Sequence, residues 1–322
     1  MSVPVIQDLI AADMRAVDAV IRARLASDVA LVREVAEYIV GSGGKRLRPA
    51  LVVLSAGAFG YHGRHHHQLA AVVEFIHTAT LLHDDVVDAS DLRRGNATAN
   101  ALFGNAASVL VGDFVYSRAF QMMVEVESMR VMQVLAEATN VIAEGEVLQL
   151  MNCHNAGIDE HAYLQVIRYK TTKLFEAATR LGAILGGAAP TQEAAMASYG
   201  MHLGTAFQLI DDVLDYSGDN QATGKNVGDD LAEGKPTLPL IHAIKHGSAA
   251  DASLIRKATE EGGLSELQQV IAAIRRSGAL DYTRRQAEAE ARTAGAALAD
   301  LPNSKYRDSL LQLADFAVTR DY

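Results

Sequence analysis

The stretch LAAVVEFIHTATLLHDDVVDASDLRRG, Leu69–Gly95, joins a long apolar run to a cluster of carboxylates. Its apolar residues recur at helical spacing, which predicts a largely buried helix. Residues four apart on a helix share a face, about 6 Å apart along the axis, so Asp84 and Asp88 point the same way with Asp85 beside them. Because three carboxylates this close repel one another, we expect a cation between them. Hard divalent ions such as Mg²⁺ take oxygen ligands of this kind.

A second aspartate motif repeats the D-D-x-x-D spacing at Asp211, Asp212 and Asp215, again after an apolar helical run. At average aspartate usage, two such copies arise by chance in well under ~0.01 of chains this long. A solvated acidic helix face would account for one copy alone, but it does not account for two copies embedded in apolar helices. The pair predicts opposed acidic clusters that hold two or three Mg²⁺ ions.

The composition favours one large helical domain. The chain has 322 residues, 49% of them hydrophobic and only 6 of them Pro, and none of the prolines lies between Ala50 and Ala189. Abundant Ala, Leu and Glu in that region favour long helices, and no alternating strand pattern stands out. Because no linker or shift in composition divides the chain, we predict an all-α bundle that forms a single domain over residues 1–322.

Charge and cysteine content limit the class of protein further. The net charge of −10 and the pI near 5.5 argue against a nucleic-acid partner. Cys153 is the only cysteine, so no disulfide forms within the chain and a reducing compartment is expected. The N-terminus matches neither a signal nor a transit peptide, and no uncharged stretch reaches the ~20 apolar residues of a membrane span. The sequence predicts a soluble, cytoplasmic protein without a transmembrane segment.

Basic residues accompany the carboxylates and are the expected ligands of phosphate. The turn Gly41–Pro49 places glycines before three cations and a Pro-started helix, which fits an anion cradle, although it lacks the Walker A spacing and an ordinary basic turn is the alternative. The polar loop Tyr216–Pro236 is long enough to be functional. The candidate cations are Lys45, Arg48, Arg93, Arg94, Lys170, Lys225 and Lys235.

The remaining helices are predicted from apolar periodicity. Thr171 and Thr172 are expected to bend one of them, which would let Lys170 reach a ligand, although a surface lysine is the alternative. Gly95–Asn105 is predicted to be a short connector. The predicted helices are Gln7–Leu25, Val29–Val40, Asn105–Glu125, Met129–Met151, Glu160–Leu185, Asp281–Leu298 and Ser304–Thr319.

The histidines are interpreted separately. His62 and His65–His67 are predicted to lie in a solvated loop, with a metal site as the alternative and no role assigned. Glu74 and His77 have the spacing of a di-iron bundle, but no second Glu-x-x-His exists, so a di-iron site is rejected. His77 lies seven residues before Asp84, nearly two turns, and is expected on the carboxylate face, with a buried core histidine as the alternative.

These residues predict a substrate. We identify no nucleophile–base pair of a Ser or Cys acting with a His. Acid clusters, phosphate-binding cations and long apolar helices behind them predict a diphosphate with an apolar tail. Magnesium would neutralise the leaving charge so that a carbon–oxygen bond can ionise.

In combination, the motifs resemble those of the trans-polyprenyl diphosphate synthase family. Besides the two aspartate motifs, the matching segments are Gly43–Pro49, Glu74–His77, Arg93–Gly95, Lys170–Thr171, Gly204–Gln208, Gly224–Lys225 and Gly228–Asp230. They occur in order and cover most of the chain. The resemblance implies an isoprenoid-synthase bundle around a central cavity, Mg²⁺ as cofactor and a homodimer. It is closest to the long-chain bacterial members that make the octaprenyl side chain of ubiquinone.

The resemblance also implies a role for each candidate residue. The metal ligands would be Asp84, Asp85, Asp88, Asp211, Asp212 and Asp215. The ligands of the allylic diphosphate would be Arg93, Lys170, Thr171 and Gln208. The ligands of isopentenyl diphosphate would be Lys45, Arg48, His77 and Arg94, with Lys225 and Lys235 as further substrate ligands. The residues expected to be catalytic are Asp84, Asp88, Lys170, Asp211 and Lys225.

The same resemblance implies the reaction. The allylic substrate, for example farnesyl diphosphate, ionises, the isopentenyl double bond attacks the cation, and a proton leaves, with the released diphosphate as the base. In short-chain members, aromatic residues before the first motif close the tunnel, whereas Ile76, Ala79 and Thr80 occupy that zone here. Because Ala79 and Thr80 are small, we expect a long product. Met123 is the candidate floor of the tunnel, with ordinary core packing as the alternative.

Two rival interpretations share parts of this pattern. A terpene cyclase or a head-to-head condensing synthase resembles the first motif but usually lacks the Gly-Gly-Lys-Arg turn and the second D-D-x-x-D. A non-catalytic subunit of a hetero-oligomeric synthase tends to lose aspartates, and here all six are present.

Overall fold

The computed structural model describes residues 4–41, 43–93, 95–217, 227–262 and 264–320. These residues are mostly helical, which confirms the predicted all-α class. The helices are α1 (Pro4–Arg24), α2 (Ala30–Gly41), α3 (Leu47–Ala58), α4 (His65–Val87), α5 (Ala99–Phe103), α6 (Asn105–Val124), α7 (Met129–Asn152), α8 (Glu160–Ile167), α9 (Lys173–Leu185), α10 (Pro190–Ser217), α11 (Asp229–Ala232), α12 (Leu238–His246), α13 (Ala249–Glu261), α14 (Leu267–Arg276), α15 (Ala279–Ala297) and α16 (Lys305–Thr319). The strands β1 (Leu92–Arg93) and β2 (Asn96–Ala97) form an antiparallel hairpin.

The chain divides into two compact units. The first unit consists of Met1–Thr139, Leu174–Gly200 and Ala297–Leu313, and the second consists of Asn140–Lys173, Met201–Ala296 and Ala314–Tyr322. Each unit therefore collects segments from distant parts of the sequence. The single domain predicted over residues 1–322 stays a prediction.

Helix α4 lies at the centre of the first unit, where α1, α3 and α6 pack against it. A helix that is apolar on most sides must be covered by neighbouring elements. In α4, Leu69, Phe75 and Ile76 are accordingly fully buried. Each such side chain stabilises the fold by about 1.5–3 kcal/mol relative to exposure. Close packing elsewhere in this unit depends on Gly57, where an added Cβ would lie 2.4 Å from the ring of Tyr306.

Helix α10 carries the second aspartate motif and is anchored in the second unit. Leu209, Ile210 and Leu214 pack with Tyr163 of α8 and Leu238 of α12 in one buried cluster. The apolar positions of α10 thus hold the helix in place, while the aspartates occupy the remaining positions of the same turns.

Three local predictions were wrong. His65–His67 lie in the first turn of α4 rather than in a loop. Consecutive polar residues were interpreted as a connector, but Asp13 of α1 binds His66 and His67. The predicted helix Glu160–Leu185 is interrupted by a π-helical turn at Arg168–Thr172, because apolar periodicity hardly registers a one-residue insertion. Part of the predicted connector Gly95–Asn105 forms β2 and α5.

Among the residues placed by the structure, no helix is long and apolar enough to cross a membrane.

Candidate active site

The first aspartate motif lies at the C-terminal end of α4. Asp84 is in the last helical turn, and the backbone N–H of Asp88 donates to the carbonyl of Asp84 at 2.8 Å. Asp84 and Asp88 are half-buried, whereas Asp85 is fully buried. The outer two carboxylates therefore reach solvent from one face, and the middle one points into the protein.

Asp85 is held by Arg93. The Nε and Nη2 atoms of Arg93 lie 2.7 Å and 2.6 Å from Asp85 Oδ1. Burial raises the pKa of Asp85, and the guanidinium opposes that rise. The hairpin of β1 and β2 pairs Arg93 with Asn96, so the backbone turns Arg93 back onto α4. The metal role predicted for Asp85 and the diphosphate role predicted for Arg93 stay predictions; the observed pair fixes the motif to the loop that follows it.

One face of the last three turns of α4 remains partly accessible. His77, Leu81, Asp84 and Asp88 are half-buried, and their spacings of four, three and four residues place them along one stripe. The intervening Leu82 and Asp85 are buried. His77 therefore lies on the same face of α4 as the outer carboxylates.

His77 also contacts a cation from the first turn of α3. Arg48 Nη1 lies 3.1 Å from His77 Nε2, and its guanidinium stacks 4.7 Å from the ring centroid of Phe175. Because a guanidinium only donates, Nε2 of His77 accepts and the imidazole proton belongs on Nδ1. The aromatic face and the imidazole hold Arg48 in one orientation, as a phosphate ligand requires.

The neighbouring Arg46 has a different partner. Its backbone has φ 48°, in the left-handed region, and its Nη1 lies 2.5 Å from Glu74 Oε1. The glutamate of the Glu-x-x-His pair thus binds an arginine, which agrees with the rejection of a di-iron site. Lys45 is half-buried in the same turn. The phosphate role predicted for Lys45 stays a prediction.

In the second motif, Asp211 is paired with the C-terminal part of the chain. Arg320 Nη2 lies 2.7 Å from Asp211 Oδ1 and donates to the carbonyl of Phe207 at 2.7 Å. Its guanidinium lies 3.7 Å from the Phe207 ring centroid, and its side chain is 1% exposed while that of Asp211 is 37% exposed. Asp211 is therefore oriented from inside the protein and still reaches solvent.

Asp212 is buried like Asp85. The hydroxyl of Tyr163 donates to Oδ2 in a short hydrogen bond, and Gln208 Nε2 donates to Oδ1 at 2.9 Å. Burial, followed by the charge of Asp230, raises the pKa of Asp212 to about 8. Burial also raises the pKa of Tyr163, so its hydroxyl stays a donor. Gln208 and Asp212, predicted as a diphosphate ligand and a metal ligand, contact each other here.

The third aspartate of this motif adjoins a loop predicted to be functional. Asp215 is half-buried, and its carbonyl accepts from the backbone N–H of Gly228 at 3.0 Å. The backbone N–H of Lys235 donates to the carbonyl of Asp230 at 2.8 Å, and Lys235 Nζ pairs with Glu233. The loop end that carries Lys235 is thereby tied to the short helix α11.

Lys170 lies in the π-helical turn and binds Glu146 of α7. Its Nζ is 2.6 Å from Glu146 Oε2, and both side chains are mostly buried. The turn approaches α7 so closely that a Cβ on Gly145 would lie 2.5 Å from the backbone nitrogen of Lys170. Thr171 is half-buried, whereas Thr172 is buried against Thr205. Lys170 and Thr171 thus belong to the same π-helical turn.

Two predicted ligands, Arg94 and Lys225, lie outside the described residues. Of the four predicted chain-length residues, Ile76, Ala79 and Met123 are fully buried in the first unit, and Thr80 is half-buried with its hydroxyl donating to the carbonyl of His77. Their effect on product length stays a prediction.

The donor set fits magnesium. Each motif offers two partly accessible carboxylates, Asp84 with Asp88 and Asp211 with Asp215, and no competing sulfur or imidazole ligand belongs to either motif. Hard carboxylate oxygens suit Mg²⁺, which commonly takes one or two carboxylates together with waters and substrate phosphates. Two accessible carboxylates in each motif are therefore enough for a magnesium site, without the third.

Sequence reasoning missed the residues that orient the motifs. Arg320 and Tyr163 lie 109 and 49 positions away from the aspartates they bind. No local pattern marks either residue as functional. Glu146 is a polar position in an otherwise apolar helix, and its pair with Lys170 appears only in the structure.

Comparisons with known proteins identify similar sequences and structures. The family model described as polyprenyl synthetase matches residues 29–274. The chain is 56% identical over 322 residues to octaprenyl diphosphate synthase of Escherichia coli (strain K12), covering 100% of both chains. It is 47% identical over 312 residues to the all-trans-nonaprenyl-diphosphate synthase (geranyl-diphosphate specific) of Rhodobacter capsulatus, covering 97% of this chain and 96% of the relative.

A solved structure is similar as well. The crystal structure of polyprenyl synthase from Caulobacter crescentus CB15, complexed with calcium and isoprenyl diphosphate, matches with a TM-score of 0.96 and 47% identity, covering 100% of this chain and 98% of that one.

Proposed function

The chain belongs to the polyprenyl synthetase family, and on that basis we propose that it is a long-chain prenyltransferase. It extends an allylic diphosphate with isopentenyl diphosphate and makes an all-trans product, which we propose is octaprenyl diphosphate, used as a quinone side chain. The identity of 56% over the full length to an octaprenyl diphosphate synthase supports this product more than the 47% identity to a nonaprenyl synthase.

The observation that carries the proposal is the shared design of the two aspartate motifs. In each, the middle carboxylate is buried and held by the protein, Asp85 by Arg93 and Asp212 by Tyr163. The first and third carboxylates remain partly accessible. A motif built in this way offers two oriented carboxylates to a hard cation.

Enzymes of this family depend on magnesium in general. We propose that Asp84, Asp88, Asp211 and Asp215 hold two or three Mg²⁺ ions, and that Asp85 and Asp212 set the direction of their motifs. When bound, Mg²⁺ supplies charge neutralisation to the diphosphate as the carbon–oxygen bond breaks.

The side chains around the motifs bind and orient the two substrates. Lys170, Thr171 and Gln208, with Arg93, are proposed to bind the allylic diphosphate. The pair with Glu146 limits the orientations that the Lys170 ammonium can take. Lys45, Arg48 and His77, together with Arg94, are proposed to bind isopentenyl diphosphate. Lys225 and Lys235 are proposed as further phosphate ligands.

The reaction then needs no protein nucleophile. The allylic carbon–oxygen bond breaks, and diphosphate leaves with the electron pair. The π electrons of isopentenyl diphosphate form the new carbon–carbon bond, and loss of one proton restores a double bond. We propose that the released diphosphate accepts that proton. Fixed cations around the leaving diphosphate lower the barrier because they stabilise the negative charge that develops on it.

We also propose a homodimer. Leu110 is 67% exposed, Val124 is 57% exposed and Val109 is 37% exposed on one side of α6, and Leu102 of the adjoining α5 is 52% exposed. Large apolar side chains grouped in this way mark interaction surfaces more often than isolated ones do. A second copy of the same chain offers a complementary apolar surface. The cytoplasmic location expected from the sequence stays a prediction.

The proposal is tested by incubating the purified chain with farnesyl diphosphate and labelled isopentenyl diphosphate. Label should enter an extractable lipid product with Mg²⁺ and stop entering it after chelation. Asn in place of Asp84 or Asp211 should remove most of the activity. A chain that incorporates no label under these conditions would contradict the proposal.

A further inference from the structure

A cluster of three side chains in the first unit has no part in the proposed function. Asp13 lies on α1, and His66 and His67 lie in the first turn of α4. The Nε2 atoms of His66 and His67 lie 3.2 Å and 2.8 Å from the same carboxylate oxygen, Asp13 Oδ1. Within the described part of the chain, these three residues form a possible metal-binding group, because their ligand atoms all lie within 4.8 Å of one another.

The convergence is not what a helix produces by default. Consecutive helical residues point about 100° apart, so neighbouring imidazoles normally diverge. Here the ring centroids of His66 and His67 are 3.9 Å apart, and Tyr61 packs its ring edge-on to His66 at 5.5 Å. His66 is 8% exposed, and the side chains of His67 and Asp13 are 19% and 29% exposed. The imidazoles are thus fixed by packing while one side of the cluster reaches solvent.

Burial and the hydrogen bonds within the cluster shift the pKa values of His66 and Asp13. Burial lowers the pKa of His66, and this effect outweighs the opposing hydrogen bond to Asp13. Burial raises the pKa of Asp13, but the hydrogen bonds from His67 and His66 outweigh it and lower that pKa overall.

We propose that Asp13, His66 and His67 bind a transition-metal dication such as Zn²⁺, in a site separate from the aspartate motifs. Two imidazole nitrogens and one carboxylate oxygen suit zinc and not magnesium. Tetrahedral zinc with bonds of about 2.0–2.1 Å holds its ligand atoms roughly 3.3–3.5 Å apart. Each imidazole would move outward by a few tenths of an ångström, with its proton on Nδ1, and water would take the fourth position.

The position of this site predicts a structural role. His66 and Asp84 are eighteen residues apart on α4, which corresponds to roughly 27 Å along the helix. A metal at the cluster therefore does not contact the first aspartate motif. It cross-links the N-terminal helix α1 to the start of the helix whose other end carries Asp84. Bound metal should stabilise the fold without replacing Mg²⁺ in the reaction.

The test uses the full-length chain without a histidine tag, stripped of metal and then saturated with Mg²⁺ to occupy the aspartate motifs. Calorimetric titration with zinc chloride should show one Zn²⁺ per chain. The variants Asp13→Asn and His67→Ala should weaken this binding roughly tenfold or more. His65→Ala is the matched control, because His65 is exposed, adjacent in sequence and outside the cluster, and it should bind zinc as the wild type does.

A second measurement separates loss of a ligand from loss of the fold. Zn²⁺ should raise the melting temperature of the wild type and of His65→Ala by roughly 5 °C, and it should leave that of Asp13→Asn unchanged. X-ray absorption of the zinc-loaded chain should show two imidazole ligands. If the wild type shows no saturable zinc binding, the proposal is wrong. It is also wrong if neither Asp13→Asn nor His67→Ala weakens that binding.

Discussion

The guanidinium of Arg320 lies 2.7 Å from Oδ1 of Asp211, although the two residues are 109 positions apart in sequence. The same guanidinium stacks on Phe207, one helical turn before Asp211 on α10. A buried arginine near the C-terminus of the chain thereby fixes the first carboxylate of the second motif. A carboxylate that is already oriented binds a metal ion more tightly than a freely rotating one, because it loses less conformational freedom when the ion binds.

Replacing Arg320 should therefore weaken magnesium binding more than substrate binding. For Arg320→Gln we expect an activity loss of about 10–100-fold and a higher Mg²⁺ concentration for half-maximal rate. The measurement is initial rate against Mg²⁺ concentration. Arg276→Ala is the control, because Arg276 forms an exposed pair with Asp251, and its rate should be unchanged. An unaltered Mg²⁺ dependence in Arg320→Gln would refute the positioning role.

The close contact at Gly145 predicts a second effect. In Gly145→Ala, the new Cβ would lie 2.5 Å from the backbone nitrogen of Lys170, so the π-helical turn must shift away from α7. Because the turn carries both Lys170 and Thr171, we expect the KM for the allylic diphosphate to rise about tenfold or more. Val147→Ala is the control, because Val147 lies on the same helix α7 and is 58% exposed. Equal KM values in the two variants would show that the turn does not position the ligands.

The buried Asp212 predicts how stability depends on pH. Its pKa is about 8 in the folded chain against an ordinary value of 3.8, so the folded state holds a proton that the unfolded state releases. This contribution is present below pH 4 and is lost as pH rises through about 8. In metal-free buffer, the wild type should lose more unfolding free energy between pH 6 and pH 8.5 than Asp212→Asn. Parallel pH profiles from denaturant titrations would contradict this.

The zone before the first motif predicts the length of the product. Ala79 is fully buried and Thr80 is half-buried on the accessible face of α4. We expect Ala79→Tyr and Thr80→Phe to shorten the chromatographed product, because an aromatic ring would close the tunnel. Thr80→Val keeps the size and should keep the product length. Since overpacking at a buried Ala costs about 1–3 kcal/mol, the melting temperature of Ala79→Tyr is measured in parallel. Unchanged products in both aromatic variants would reject the open tunnel.

The exposed apolar side of α6 predicts the oligomeric state. Leu110→Asp places a charge where a second copy would pack, so the proposed dimer should become a monomer in sedimentation equilibrium. Val5→Asp is the control, because Val5 is 66% exposed and lies on α1 rather than on α5 or α6. If Leu110→Asp sediments like the wild type, the dimer does not use this side of α6.

The parts of the site that follow from local spacing could be predicted from the sequence. The four-residue spacing of Asp84 and Asp88 puts them on one helix face, and His77 lies on the same face for the same reason. The threonine pair led us to expect an irregularity in the helix, and a π-helical turn lies at Arg168–Thr172. Helical periodicity also placed the boundaries of α6 and α7 within one residue of their observed ends.

Contacts between distant segments could not be predicted in this way. Nothing near Tyr163 or Arg320 in the sequence indicates that each binds an aspartate of the second motif. Spacing also did not distinguish the buried middle carboxylates from their outer neighbours, because burial depends on what packs against a helix. His65–His67 were assigned to a loop because consecutive polar residues are typical of a connector, and Asp13, which binds His66 and His67, lies more than fifty residues earlier.

The most direct test of the account is the length of the product made by the wild type. Purified chain, Mg²⁺, farnesyl diphosphate and labelled isopentenyl diphosphate are incubated together, and the dephosphorylated products are separated by chromatography beside prenyl alcohol standards. The account predicts that label accumulates mainly at the eight-unit, all-trans alcohol and that chelation abolishes it. Products that stop at three or four units, or synthesis that continues without a divalent cation, would contradict it.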